Sequence, residues 1–199
     1  MARLSALLLS AACAGCQWTG FGFHADGPEM QRLTQALALE AGSVVADVGA
    51  GKGQLTAALA AEVGSKGRVF ATEIDAGRLQ ALREAGLRNV TVVEAGSRES
   101  GLPANCCDAI VLRRVYHHLS DPASTNASLL RALRPGGVLA VIDFPPPLRL
   151  RGSLGVPANA VIDELTAGGF EPMRLIDDWP GRGPLGSYCA LFRKPLRPS

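Results

Sequence analysis

Residues 44–53 read VVADVGAGKG, an apolar run that contains Asp47 and leads into glycines at positions 49, 51 and 53. The next segment, 55–63, has the apolar composition of a packed helix. A buried strand, a glycine turn and a helix in this order are typical of the point where an α/β sheet binds a nucleotide. The question is which nucleotide this loop accepts.

Two phosphate-binding patterns do not fit the loop. A P-loop requires GxxxxGK followed by Ser or Thr, but here residue 46 is Ala and residue 53 is Gly. The dinucleotide fingerprint is GxGxxG, whereas this loop reads GxGxG. Asp47 would also repel a pyrophosphate, yet its carboxylate can attract a cation. The loop therefore favours a nucleoside that carries a positively charged tail.

The chain outside the loop alternates strand and helix patterns, which predicts an α/β fold with helices on both faces of a mostly parallel sheet. The predicted strands are 43–48, 68–74, 89–95, 108–114, 138–144, 170–177 and 187–194. The predicted helices are 29–39, 55–63, 76–86, 121–133 and a segment near 157–167. Only about ten residues join the last two strands, too few for a parallel crossover, so the last strand should run antiparallel in a seven-stranded mixed sheet.

Five segments between residues 44 and 144 resemble, in order, the motifs of class I S-adenosylmethionine-dependent methyltransferases. They are VADVGAGKG, ATEID, AGSRESGLP, CDAIVLRRVYHHLSDP and LRPGGVLAVID. The resemblance is to the type 11 methyltransferase domain family, which includes quinone and sterol methylases. It implies a Rossmann-like sheet, S-adenosyl-L-methionine as cofactor, and in-line methyl transfer to a small-molecule or lipid-like acceptor.

Glu73 is the clearest binding candidate outside the loop. It lies about 20 residues past the glycines, where a carboxylate can accept both hydroxyls of a ribose. The resemblance implies further contacts. Gly49 and Gly51 bring backbone close to the cofactor, Ile74 packs on adenine, Ser97 and Arg98 border its edge, the backbone near Arg113 meets the methionine end, and Asp47 orients the loop or the methionine ammonium.

The segment after the third strand departs from the family pattern. Many family members have Asp after the glycine at this point, but this chain has Ser97 after Gly96. The hydrogen bond to the adenine amino group therefore falls to Glu99, or to Ser97 together with a backbone group.

Catalytic candidates follow the fourth strand. Tyr116 and His117, with His118 beside them, should lie near the cleft, where a general base is needed only if the acceptor must lose a proton. The alternative is that one histidine packs or caps the following helix. No metal site is predicted, because adjacent residues on an extended chain face opposite sides, and the cysteines lack ligand spacing. Cys106, Cys107 and Cys189 are expected to be buried as small hydrophobic residues.

The N-terminus has a different composition from the rest. Residues 1–16 have one arginine and an apolar stretch ending in Ala14-Gly15-Cys16, the layout of a signal peptide or of a lipoprotein segment lipidated at Cys16. A mis-assigned start codon or a packed helix is the alternative. If residues 1–16 are a signal, the protein is expected to be exported or anchored to a bacterial membrane. If they are not, it is expected to be cytoplasmic. Residues 17–28 would form a lid or linker, and 29–199 the methyltransferase domain.

The net charge and the loops around the motifs indicate which partners and substrates the protein can bind. A formal net charge of +2 with interspersed signs gives no footprint for nucleic acid. Substrate choice is expected from 144–157, where Arg149 and Arg151 could meet an anionic acceptor, and from His24 in the lid. Two other classes stay open at this point: a non-catalytic binding or scaffold protein, and a nicotinamide-dependent oxidoreductase.

Overall fold

The protein alternates strands and helices around one sheet, as seen in a computed structural model that describes residues 27–146, 155–180 and 186–196. The strands are β1 (Val44–Val48), β2 (Arg68–Glu73), β3 (Val90–Glu94), β4 (Cys107–Arg113), β5 (Leu133–Asp143), β6 (Glu171–Trp179) and β7 (Ser187–Arg193). The helices are α1 (Pro28–Ala36), α2 (Gln54–Val63), α3 (Ala76–Glu84), α4 (Pro122–Ala132) and α5 (Ala158–Ala167), with a 3₁₀ turn at Tyr116–His118.

The seven strands form one sheet in the order β3-β2-β1-β4-β5-β7-β6. Strands β1 to β5 pair in parallel, and β7 pairs antiparallel with both β5 and β6. The predicted seven-stranded mixed sheet with an antiparallel last strand is confirmed. The strand order switches sides between β1 and β4: β2 and β3 lie on one side of β1, and β4 and β5 lie on the other. Ligands of open α/β sheets bind beside such a point, at the carboxyl ends of the strands.

The sheet has an apolar core on each face. One face carries alternate strand residues such as Ile110 and Val141 and packs against α4 and α5. The opposite face carries their neighbours, such as Val45 and Val111, and packs against α1 and α2. Strands buried on both faces read as continuous apolar runs, which is why the pattern of β1 and β4 predicted the layered fold.

The observed elements differ from the predicted ones mainly at β5. The turn signal RPGG at 134–137 predicted a break before a strand at 138, but β5 already begins at Leu133, the register partner of Cys107. The backbone amide of Gly136 donates to the Lys194 carbonyl and that of Lys194 donates to the Gly137 carbonyl, so pairing continues through the turn residues. Helix α1 also ends at Ala36, earlier than predicted.

The cysteine prediction holds for two residues. Cys107 and Cys189 are buried, whereas Cys106 is only half-buried.

Within the described ranges, no helix combines the length and the apolar character needed to cross a membrane.

Candidate functional site

The loop after β1 depends on glycine at each of its three glycine positions. Gly49, Gly51 and Gly53 have φ of 74°, 58° and 78°, in the left-handed region that side chains disfavour. At Gly49 a Cβ would also lie 2.5 Å from the Val115 side chain. The amides of Gly49 and Ala50 donate to the carbonyl of Thr72, each at 2.9 Å, and fasten the loop to the end of β2.

Glu73 ends β2 and binds this loop through its side chain. Its Oε2 accepts a hydrogen bond from the Gly51 amide at 2.8 Å, and its Oε1 accepts from the amides of Ile74 and Asp75. The Arg78 guanidinium lies 3.7 Å from Oε2. Glu73 is buried, yet it lines the cavity described next. A carboxylate oxygen can accept about two hydrogen bonds; Oε1 already accepts two, whereas Oε2 accepts one and remains able to meet a hydroxyl donor of a ligand.

A cavity of about 460 Å³ opens at the carboxyl ends of β1, β2 and β4. Its size lies in the range of small-molecule sites. Its walls come from the glycine loop, the ends of β2 and β4, the segment after β3, and the 3₁₀ turn. The lining residues are Val48, Gly49, Thr72, Glu73, Ile74, Arg78, Ala95, Gly96, Ser97, Glu99, Ser100, Arg113, Arg114, Val115, His118, Leu119, Ser120 and Thr125.

Two features of the cavity wall suit the binding of a ligand. Ile74 is 60% exposed although it is a large aliphatic residue, so it offers an apolar surface for a flat ring to cover. The Thr72 hydroxyl is fully buried and has no hydrogen-bond partner within the described residues. Buried hydroxyls are normally satisfied, so this group is a candidate donor or acceptor for a ligand.

The segment after β3 brings only some of its predicted residues to the cavity. Ser97 and Glu99 line it, and the Glu99 side chain folds back over Gly96, where a Cβ would lie 3.1 Å from the Glu99 Cγ. Arg98 instead lies outside the set of lining residues, with its Nε 3.4 Å from the Asp121 carboxylate and its side chain 75% exposed. The structure therefore gives Arg98 a surface ion pair with the start of α4.

Asp47 is buried beneath the loop. The Thr56 hydroxyl donates to its Oδ2 at 2.6 Å. Burial raises the pKa of Asp47 to about 6, against lowering contributions from the Thr56 hydrogen bond and from the charge of Arg113. Asp47 is not among the described residues that line the cavity, so the geometry fits the loop-orienting alternative better than direct contact with an ammonium.

Arg113 links the cavity to α1. Its Nε and Nη2 donate to the two carboxylate oxygens of Glu29 at 2.8 and 2.9 Å, a bidentate geometry that fixes the guanidinium plane. The indole of Trp179 donates to the same carboxylate at 3.3 Å. Glu29 thus joins α1, β6 and the end of β4. Sequence reasoning missed Glu29 because nothing in its local pattern distinguishes it from any acidic residue in a first helical turn.

The adjacent histidines have different environments. The His117 ring is almost fully buried, with its Nδ1 at 2.9 and 3.0 Å from the oxygens of Asp143, which is itself fully buried at the end of β5. A carboxylate only accepts, so Nδ1 carries the proton. His118 lines the cavity, and its ring centroid lies 3.9 Å from that of His117. Desolvation and the neighbouring His117 lower the pKa of His118.

Tyr116 lies in the core and is not among the residues that line the cavity. Its hydroxyl donates to Glu164 at 2.8 Å and accepts from the Asn126 amide at 2.9 Å. Burial raises the pKa of the phenol. The catalytic role predicted for Tyr116 has no support in this geometry, which instead ties α4 and α5 together.

The end of β5 lies next to Arg114 of the cavity lining and to the histidine pair. The ring of Phe144 meets the edge of His117 at a centroid distance of 5.2 Å, and the Arg114 guanidinium carbon lies 6.0 Å from the Phe144 centroid. The Val156 amide donates to the Phe144 carbonyl at 2.9 Å, and Tyr188 donates to the Val156 carbonyl. These contacts join residues near the two ends of the predicted substrate loop, 144–157.

Several predicted features lie outside the described residues: the segment 1–16 with Cys16, residues 17–26 of the lid or linker with His24, and Arg149 and Arg151. In the part of the chain that is described, no cluster of three or more His, Cys, Asp or Glu side chains could hold a metal ion. Asp143 was not predicted, although an acidic residue at the end of a strand is the same signal that identified Glu73.

Comparison with known proteins agrees with this geometry. Residues 46–141 match the family model described as a methyltransferase domain. The chain is 34% identical over 112 residues to the ubiquinone/menaquinone biosynthesis C-methyltransferase UbiE of Vibrio cholerae, covering 54% of this chain and 43% of the relative. The corresponding protein of Psychromonas ingrahamii is 35% identical over 112 residues, covering 54% and 45%. The chain thus spans less than half the length of these curated relatives.

A solved structure extends the similarity beyond the motif region. The chain superposes on a SAM dependent methyltransferase from Aquifex aeolicus with a TM-score of 0.71 and 25% identity, covering 83% of this chain and 89% of the other. The likeness therefore extends beyond residues 46–141, the region that the family model matches.

Proposed function

We propose that this chain, which belongs to the type 11 methyltransferase domain family of class I S-adenosylmethionine-dependent methyltransferases, transfers a methyl group from S-adenosylmethionine to a small-molecule acceptor. The observation that carries the proposal is the position of Glu73. Its buried carboxylate joins the glycine loop to the cavity, and Oε2, which accepts one amide hydrogen bond, keeps acceptor capacity for a ribose hydroxyl.

The described residues fit the cofactor of this family. Glu73 would hold the ribose, and exposed Ile74 would cover one face of the adenine. The buried Thr72 hydroxyl, Ser97 and Glu99 offer polar groups along the same wall. The glycine loop lets backbone approach the ligand, with Asp47 and Thr56 holding the loop from below. Arg113 would border the methionine end, its guanidinium oriented by Glu29.

The cofactor supplies a methyl group on a sulfonium that is already activated for displacement. The chain therefore has to align the acceptor with that methyl group and to exclude water. Phe144 at the end of β5 lies next to Arg114 of the cavity lining and to His117, and together with His118 it would form the acceptor wall, the surface that meets an acceptor. Phe144 there offers an aromatic surface next to the histidine pair.

An acceptor that must lose a proton needs a base, and His118 suits this task. It lines the cavity, and its lowered pKa keeps the imidazole neutral at neutral pH, so the ring can accept a proton. His117 would not contact the acceptor but would orient His118. Its ring packs against His118 and is anchored by Asp143, so the Asp143–His117 pair would position His118.

The named relatives suggest an acceptor class. Those proteins are C-methyltransferases of quinone biosynthesis, and a hydroxylated aromatic ring would use both features of the acceptor wall: Phe144 for stacking and His118 for the hydroxyl proton. We therefore propose a reduced quinone or a related phenol, with or without a lipid tail, as the acceptor.

Calorimetry with S-adenosylhomocysteine tests the cofactor assignment, with NAD as the comparison ligand. Binding of the first and not the second is expected, and the reverse result would contradict the proposal.

Transfer of labelled methyl groups to a panel of hydroquinones and phenols, then to lysate metabolites and lipids, tests turnover. A protein that binds the cofactor product but methylates nothing in either set would instead be a binding protein.

A further inference from the structure

Two adjacent cysteines lie where β4 begins, at the end of the strand opposite the cavity: Cys106 directly precedes β4, and Cys107 is its first residue. The Sγ atoms of Cys106 and Cys107 are in contact with each other. Adjacent residues of a regular strand point to opposite faces, so this approach requires an irregular backbone. The pairing of β4 with β5 is indeed irregular between Cys107 and Ala109, and the preceding Asn105 has a φ of 49°.

The two thiols differ in exposure and acidity. Cys106 is half-buried and reachable from solvent, whereas Cys107 is buried. The hydrogen bond from Cys107 lowers the pKa of Cys106, and the positive charge of Arg134 acts in the same direction. The same hydrogen bond, together with burial, raises the pKa of Cys107. A thiolate is the reactive form of cysteine, so Cys106 is the nucleophile of the pair.

We propose that Cys106 and Cys107 form a redox-active dithiol that a small disulfide oxidant converts reversibly into an intramolecular disulfide. The Cys106 thiolate attacks one sulfur of the oxidant, forms a mixed disulfide and releases the other sulfur as a thiolate. Cys107 then loses its proton and attacks the Cys106 sulfur, which releases the second half of the oxidant as a thiolate. Two protein thiols are oxidised and one oxidant disulfide is reduced to two thiols.

The disulfide should be easy to reduce. Adjacent α-carbons are about 3.8 Å apart across a trans peptide, closer than the separation of about 4.4–6.8 Å found in most disulfides. The resulting strain raises the reduction potential, a property of labile rather than structural disulfides. The site is independent of the methyltransferase proposal, because it lies at the opposite end of β4 from the cavity.

Peptide mass spectrometry tests the proposal on the full chain. Trypsin releases residues 99–113 as one peptide that contains Cys106 and Cys107 and no other cysteine. Native protein is incubated with glutathione disulfide, denatured, alkylated with iodoacetamide and digested. The expected peptide is unalkylated and lighter than the reduced form by two hydrogen atoms, and brief treatment with dithiothreitol before alkylation restores two alkylated thiols.

Variants separate the two chemical steps. Cys107→Ala should trap glutathione on Cys106, because the second thiol is missing, and Cys106→Ala should leave Cys107 unmodified. The peptide that contains Cys189 provides an internal control for general oxidation. Recovery of two alkylated cysteines from oxidised wild-type protein would overturn the proposal, as would glutathione that remains on Cys106 of the wild type.

Discussion

The amide of Gly51 donates a 2.8 Å hydrogen bond to the carboxylate of Glu73, so the residue that ends β2 also holds the loop that follows β1. The group proposed to bind ribose therefore shapes the loop that approaches the same ligand. A substitution at Glu73 should weaken ligand binding in two ways: the contact with the ligand is lost, and the loop loses the hydrogen bond that holds Gly51.

We expect Glu73→Gln to weaken binding of S-adenosylhomocysteine by about 10- to 100-fold, because hydrogen bonds to a charged acceptor contribute about 1.5–3 kcal/mol each. Calorimetry measures the affinity, and circular dichroism checks that the variant is folded. Glu94→Gln is the matched control, since Glu94 is the register partner of Glu73 on β3 and is exposed. Equal losses in both variants would refute the assignment of Glu73.

Asp47 should make stability depend on pH. Its pKa is raised from 3.8 to about 6 in the fold, so the folded state holds this proton more tightly than the unfolded state does. The free energy of unfolding should therefore fall as pH rises from about 4 to about 6, by an amount on the order of 3 kcal/mol.

Asp47→Asn should remove this contribution, so the variant should gain stability relative to wild type as pH rises through that range. Urea denaturation at several pH values measures the difference. Asp163→Asn, on the exposed face of α5, controls for surface carboxylates. Parallel pH profiles for wild type and Asp47→Asn would show that Asp47 is not buried as described.

His118→Gln should slow methyl transfer by about 10²–10⁴-fold to an acceptor that must lose a proton, with the affinity for S-adenosylhomocysteine nearly unchanged. The wild-type rate should rise with pH and level off below the ordinary histidine value, since the pKa of His118 is lowered. Asp143→Asn should shift this profile by changing the charge behind His117. An unchanged rate and profile in His118→Gln would remove His118 from the mechanism.

Tyr116→Phe should reduce stability and leave catalysis largely intact. The change leaves Glu164 and the Asn126 amide without their buried partner, which costs about 1–3 kcal/mol. Thermal denaturation measures the loss, with Tyr188→Phe as a second phenol that gives up a single hydrogen bond. A large fall in turnover with unchanged stability would instead restore the catalytic role predicted from the sequence.

Cys16→Ser should abolish membrane association if residues 1–16 direct lipidation. Cell fractionation with a radiolabelled fatty acid measures both location and lipid. Unlabelled wild-type protein that retains Met1 in the soluble fraction would rule out the lipoprotein hypothesis.

Sequence patterns predicted the parts of the site that depend on local geometry. The glycine spacing identified the loop, and the distance to Glu73 identified the carboxylate that meets it. The pattern could not show which way side chains turn after a strand ends. Tyr116 enters the core, His118 faces the cavity, and Arg98 turns to Asp121, because long-range partners that are distant in sequence decide these orientations.

Contacts across the fold were also beyond prediction. Glu29 and Arg113 are 84 residues apart in the sequence, and only the packing of α1 against the sheet brings them together. The same holds for Tyr188 and Val156. The β5 boundary was wrong for a related reason, since pairing with neighbouring strands extends it through residues that favour a turn.

The position of β7 between β5 and β6 has a consequence for biosynthesis. Until residues 187–193 have been synthesised, β6 lacks the strand with which it pairs in the described sheet, and β5 has one unpaired edge. Tyr188 arrives on that same late strand, so its bond to the Val156 carbonyl forms only after β7 has emerged. The acceptor wall should therefore be the last part of the nascent protein to mature.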